Sequence, residues 1–153
     1  MILKALSHLT VRHLAVALYR VSQRLGRRAG MLGSLVKQVN HVVTGADIAW
    51  EADLGPNLTL FHPTGVVIGP HVRAGASLTV QGGVTIGGMG SAERRADSPT
   101  LGDGVRVGAG AKILGPISIG DGAEIGANAV VLQDVPSHHV AVGVPARPRP
   151  RRA

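Results

Sequence analysis

The amino-acid sequence predicts a mainly β protein, a parallel β-helix that carries a short N-terminal helical segment. Three observations point to it. An aliphatic residue recurs every six positions over much of the chain. Glycine supplies 22 of 153 residues and hydrophobic residues 44%, yet there is one Trp, one Tyr and one Phe. The apolar residues are mostly Val, Ile, Leu and Ala interleaved with Gly. That mix suits a narrow, repetitive core in which each layer buries one small branched side chain, and it does not suit a core filled by aromatic rings.

Residues 1–45 come first and read as a helical cap. Leu3, Leu6, Leu9, Val11, Leu14, Leu18, Val21 and Leu25 recur at helical intervals, with Arg and His between them. Gly30 and Gly33 then interrupt, and a second short helix is expected over about residues 35–43. Such a segment covers the open end of a β-helix, whose terminal coil exposes unpaired strand edges. Docking of a basic amphipathic helix on a membrane surface is the competing role.

Residues 46–147 hold the repeat. Ile48, Leu54 and Leu60 form one register; Ile68, Ala74, Val80 and Ile86 form a second; Leu101, Val107, Ile113, Ile119, Ile125 and Val131 form a third. Neither the 3.6-residue helical period nor the two-residue strand period accounts for this spacing. A period of six is the signature of a parallel β-helix, three hexapeptides making a triangular coil of roughly 18 residues. Gly, Asp and Asn between the aliphatic positions suit the corners, where unusual backbone angles are needed. The phase slips between Leu60 and Ile68. Residues 88–99, through Met89-Gly90-Ser91-Ala92-Glu93-Arg94-Arg95, break the repeat and are expected to protrude as a loop of the kind that carries function. Residues 148–153 read as a basic tail.

Composition narrows the function. No Cys is present, which excludes a disulfide framework and thiol chemistry and fits a cytoplasmic location. Lys4, Arg12, Arg20 and Arg24 interrupt the apolar stretches of residues 1–40 before spanning length, so no stable membrane insertion is expected. The net charge of +7 is concentrated in residues 20–28 and in Arg147, Arg149, Arg151 and Arg152. Nucleic acid, a membrane surface or an anionic small ligand would each answer that charge. A nucleic-acid role lacks aromatic stacking residues and a reading helix, so none is expected. Among the seven His, His8 and His13 lie on the helical segment and His138-His139 in a turn. No Cys or carboxylate cluster joins them, and no metal is expected.

His62 differs in its surroundings, Phe61-His62-Pro63-Thr64-Gly65-Val66-Val67-Ile68-Gly69. It sits where the six-residue phase slips, so its side chain need not follow the inward/outward rule. Asp47 lies 15 positions earlier, which in a coil of about 18 residues puts the two on neighbouring coils near one face. A carboxylate beside an imidazole fixes its tautomer and stabilises the imidazolium, making a better general base. Asp47 is equally readable as a turn residue.

These stretches together resemble the hexapeptide-repeat acyltransferases, and serine O-acetyltransferase in particular. The matching segments are Asp47-Ile48, the residues from His62 to Gly69, and Val84-Thr85-Ile86-Gly87-Gly88. They continue through Gly108-Ala109-Gly110-Ala111-Lys112-Ile113-Leu114-Gly115, Ile125-Gly126-Ala127-Asn128-Ala129-Val130-Val131-Leu132 and Gly143-Val144-Pro145-Ala146-Arg147, so the likeness covers about residues 45–148. It implies a left-handed parallel β-helix in which His62 is the catalytic base and Asp47 its partner. It implies acetyl-CoA bound in a groove between neighbouring subunits of a homotrimer, with Gly88, Ala109 and Ala127 beside the thioester and pantetheine arm. Lys112 and Arg147 are the candidates for the nucleotide phosphates. Backbone N–H groups near Gly87 and Gly88 would stabilise a tetrahedral intermediate.

The acceptor side departs from that family. Phe61 stands where the family has Asp before its catalytic His, and Asp97-Ser98 stand where its extended loop has Arg-His. Arg94 or Arg95 would have to supply a cation from within the loop. Phe61, Arg95, Asp97 and Ser98 are therefore the expected acceptor contacts, and the expected acceptor is a small hydroxyl compound other than free L-serine. An N-acyltransferase and a non-catalytic β-helix scaffold are the alternatives. The helical segment is much shorter than the family's N-terminal domain, which implies a trimer that does not associate further.

Overall fold

The computed structural model describes residues 10–90 and 95–151, Arg95 by its backbone alone. Leu3, Lys4, Leu6, His8, Leu9, Arg94 and Arg152, all weighed above, lie outside the described residues. Two helices, α1 (Val11–Gly26) and α2 (Gly30–Thr44), precede a triangular prism of short strands. Sheet A stacks β1 (Asp47–Ile48), β4 (Val67–Ile68), β7 (Thr85–Gly87), β10 (Lys112–Leu114) and β13 (Val130–Val131). Sheet B stacks β2 (Asp53–Leu54), β5 (Arg73–Ala74), β8 (Thr100–Leu101) and β11 (Ser118–Ile119). Sheet C stacks β3 (Thr59–Leu60), β6 (Thr79–Val80), β9 (Arg106–Val107), β12 (Glu124–Ile125), β14 (His139–Gly143) and β15 (Ala146–Pro150). Pairing is parallel between coils, and only β14 and β15 pair antiparallel.

Register records where the repeat is regular. Val67 pairs with Thr85 and Lys112 with Val130, each 18 positions on, whereas Asp47 pairs with Val67, 20 positions on, and Thr85 with Lys112, 27 on. The two extra residues fall at His62, the nine extra in the loop after Gly87.

Most hexapeptides bury two side chains, where the period of six by itself marks one. Ile48, Ile68, Ile86, Ile113 and Val131 stack inside sheet A, and Ala46, Val66, Val84, Ala111 and Ala129 make a second inward column beside them. Residues two apart on a pleated strand point the same way, so the second column follows from the first. Two corners are built on left-handed backbone. Gly45, Gly65, Gly83, Gly110 and Asn128 occupy it in successive coils at the corner between sheets C and A, and Asn57, Ser77, Gly104, Gly122 and His138 at the corner between B and C. The Asp residues serve differently from expectation: Asp121 Oδ1 accepts the Asp103 N–H at 2.8 Å, linking one coil to the next.

The helical pair caps the first coil. That coil has no predecessor to bond its outward carbonyl groups, and buried backbone polar groups must be satisfied. Tyr19 Oη donates to the Ala52 carbonyl at 2.7 Å, Gln23 Nε2 to the same oxygen at 2.9 Å, and Arg20 Nη1 to the Leu54 carbonyl at 2.6 Å. The expected break at Gly30 and Gly33 is corrected: both lie inside α2, which begins five residues earlier than expected. Gly33 is a close-approach position. A Cβ on Gly33 would stand 2.5 Å from Gly26 Cα, and one on Gly26 would stand 2.3 Å from the ring of Trp50. The basic tail is likewise more ordered than a solvated tail: Arg149 pairs with Val140 along β15, and Arg151 Nη1 lies 3.1 Å from Glu124 Oε1.

Candidate active site

His62 follows β3 of sheet C and precedes β4 of sheet A, so it stands at the C–A corner. The two extra residues of its coil free it from the pleat, and its side chain is exposed. Gly82 lies directly against it in the next coil; a Cβ there would meet His62 Cβ at 3.2 Å. The same corner continues through Ala109-Gly110 and Ala127-Asn128, joined by the Gly110 N–H to Gly82 carbonyl and Asn128 N–H to Ala109 carbonyl bonds, both 2.8 Å. Ala109 and Ala127 are exposed. The result is a smooth strip of small residues running from His62 toward the hairpin of β14 and β15, whose second strand carries the exposed Arg147.

Asp47 opens β1 at that same corner, one turn of the helix above His62. Its carboxylate is bonded to Lys37 Nζ of α2 at 2.7 Å, and no hydrogen bond or ion pair among the described residues joins it to His62. Lys37 was not singled out by the sequence; its role depends on how α2 turns into β1. Lys112 Nζ donates to the Gly83 carbonyl at 2.8 Å and the Thr85 hydroxyl at 3.0 Å, which holds it against the strip at its base.

The expected acceptor residues divide between two corners. Gly87 ends β7 and Gly88 follows it at the A–B corner, on the opposite edge of sheet A from His62. Asp97 belongs to a 3₁₀ turn (Arg95–Asp97) folded back on them, and a Cβ on Gly88 would meet the Asp97 carbonyl at 3.0 Å and Ser98 Oγ at 3.4 Å. Within one chain, Gly87, Gly88, Asp97 and Ser98 therefore do not meet His62. Phe61 does stay beside it. A cavity of about 480 Å³ is lined by Phe61, His62, Pro63 and Thr64 from the corner and by Thr10, Val11 and Arg12 from the start of α1. Arg12 stands over the Phe61 ring, its guanidinium carbon 6.0 Å from the centroid. The sequence had shown Arg12 only as a charge interrupting an apolar stretch, because nothing in linear spacing tells which coil the cap covers. Among the described residues no group of His, Cys, Asp and Glu could hold a metal ion, and no helix is long and apolar enough to cross a membrane.

Comparison with known proteins defines the class. The bacterial transferase hexapeptide (six repeats) model matches residues 98–133. Those residues are thus similar to the hexapeptide-repeat transferases, and the fold is the left-handed parallel β-helix. Within that class the chain is similar to serine acetyltransferases. Those of Staphylococcus xylosus and Mycobacterium tuberculosis are 45% and 43% identical, across 75% and 79% of this chain and 53% and 52% of theirs. The crystal structure of the Neisseria gonorrhoeae serine acetyltransferase matches with a TM-score of 0.85 and 41% identity over 90% of this chain and 54% of that one. That of Vibrio cholerae O1 gives 0.88 and 38% over 94% and 57%. The chain thus spans about half the length of the curated relatives it matches.

These likenesses correct one expectation. An acceptor other than free L-serine was expected from Phe61, Asp97 and Ser98, but the relatives at 41–45% identity are named serine acetyltransferases. A matched structure of the N. gonorrhoeae enzyme is a complex with serine, at 40% identity and a TM-score of 0.81. Differences at three positions weigh less than similarity running through the whole β-helix.

Proposed function

We propose that the chain transfers the acetyl group of acetyl-CoA to the side-chain hydroxyl of L-serine, with His62 as general base. The observation that carries this is His62 itself, exposed beside a cavity and at the head of the small-residue strip. The imidazole takes the hydroxyl proton as the oxygen attacks the thioester carbonyl carbon, and returns it to the departing CoA thiolate. Asp47, one turn away on the same corner and held by Lys37, is the carboxylate assigned as partner of His62. The strip through Gly82, Ala109 and Ala127 offers room for an extended pantetheine arm, with Lys112 and Arg147 as cations along its course.

A homotrimer completes the site. His62 and the Gly87-Gly88 corner bound opposite edges of sheet A, so a neighbour's Gly88 corner must approach His62 for backbone donors to reach the oxyanion. An apolar surface supports such contact. Met31, Leu35, Val39 and Val42 form one stripe of α2 and are 85%, 62%, 44% and 76% exposed. Scattered apolar residues are ordinary, but a contiguous stripe marks an interface.

Replacing the base tests the reading. In His62→Ala, kcat for serine acetylation falls by about 10²- to 10⁴-fold, while calorimetry still registers CoA binding. Undiminished turnover would remove His62 from the mechanism. CoA binding without turnover by the wild type would instead make the protein a scaffold.

A further inference from the structure

We propose that Arg12 anchors the carboxylate of the acceptor, an assignment that rests on serine being that acceptor. The residue lies 50 positions from His62 in sequence, yet the two line the same cavity of about 480 Å³. Its Nε is buried and has no hydrogen-bond partner. None of the ion pairs among the described residues includes it: Asp47 is bonded to Lys37, and Glu124 to Arg106 and Arg151. A buried guanidinium N–H without an acceptor is costly, which makes the site one that gains on receiving an anion.

The surroundings select which anion. The neighbour of the guanidinium is the Phe61 ring, 6.0 Å from its carbon to the centroid. An aromatic face orients a guanidinium and neutralises none of its charge, leaving the donor fork available for a bidentate carboxylate. Arg12 also occupies the first turn of α1, where the helix dipole favours negative charge. The walls nearby are Val11, Phe61 and Pro63, so the space is apolar apart from Arg12, His62 and the hydroxyls of Thr10 and Thr64. A hydroxy acid matches these polar groups. Its carboxylate meets Arg12 and its hydroxyl faces His62, so the residue would set both affinity and the direction from which the hydroxyl approaches the base.

The test compares L-serine with L-serinamide, which keeps the hydroxyl and amine and lacks the carboxylate charge. Both acceptors are assayed with the wild type, Arg12→Gln and Arg12→Lys, and the KM for acetyl-CoA is measured in each. The wild type should favour serine, and Arg12→Gln should lower kcat/KM for serine by about 10- to 100-fold, the range of a charge-assisted hydrogen bond. Serinamide turnover and the acetyl-CoA KM should stay unchanged. Arg12→Lys should restore part of the preference, since it returns the charge without the fork. An Arg12→Gln protein that keeps the wild-type preference overturns the assignment and leaves serine acetylation standing. Equal losses on both acceptors also overturn it, showing that Arg12 only supports the cap. A wild type that binds CoA and acetylates neither acceptor removes the acceptor reading, and this assignment with it.

Discussion

The phenol of Tyr19 reaches the Ala52 carbonyl in a place from which water is excluded. Burial pushes its pKa up, and it does so against the backbone bond from Leu54 and the nearby Arg20 charge, both of which pull it down. The folded-state value therefore lies above that of the unfolded chain. Tyr19 contributes its full stability below about pH 10, the ordinary tyrosine value, and loses it as pH rises through the raised value. Scanning calorimetry of the wild type should show Tm declining across that alkaline window. Tyr19→Phe should be less stable by about 1 kcal/mol at neutral pH and decline less steeply above pH 10. Parallel declines in the two proteins would assign the alkaline transition to other groups.

At the scale of elements, the coils were legible in the sequence and the cap only in outline. A period of six is explicit in Ile113, Ile119, Ile125 and Val131, because one aliphatic residue per hexapeptide is compulsory. The second inward column was hidden by residues such as Ala46, Ala111 and Ala129, which are equally common on surfaces. Gly30 and Gly33 were read as breaks because glycine usually marks one, whereas here the absence of a side chain at Gly33 lets α2 lie against α1. Gly33→Ala makes the point measurable. Alanine favours helix by about 1 kcal/mol over glycine, but the new Cβ would stand 2.5 Å from Gly26 Cα, which is backbone and cannot rotate away. Overpacking should win, lowering the unfolding free energy by about 1–3 kcal/mol in denaturant titration. A stabilised variant would show that the helices have room to part.

For the whole molecule, the candidate site was legible as a residue set and illegible as an arrangement. His62, Ala109 and Ala127 share one corner, and the resemblance to the hexapeptide-repeat acyltransferases, rather than a residue count across the slip and the loop, had set them in one site. Gly88, Asp97 and Ser98 fell on another corner, since a hexapeptide count gives height along the axis and says little about which subunit's edge is needed. That division predicts complementation. If the site is shared across the proposed homotrimer, His62→Ala and Gly88→Val should each be inactive alone, and refolding the two together should regain part of the CoA-release activity. No recovery would confine the site to a single chain.

The lone Trp50, packed against Gly26, has a consequence for how this protein can be watched. The one Tyr, one Trp and one Phe are residues 19, 50 and 61, so every aromatic chromophore sits in the cap or the first coil. Intrinsic fluorescence and near-ultraviolet dichroism therefore report on docking of the cap and on the neighbourhood of His62, and are blind to all that lies below. The lower coils are optically dark. An emission change on heating is a statement about one end of the prism, and the remainder must be followed through the amide groups.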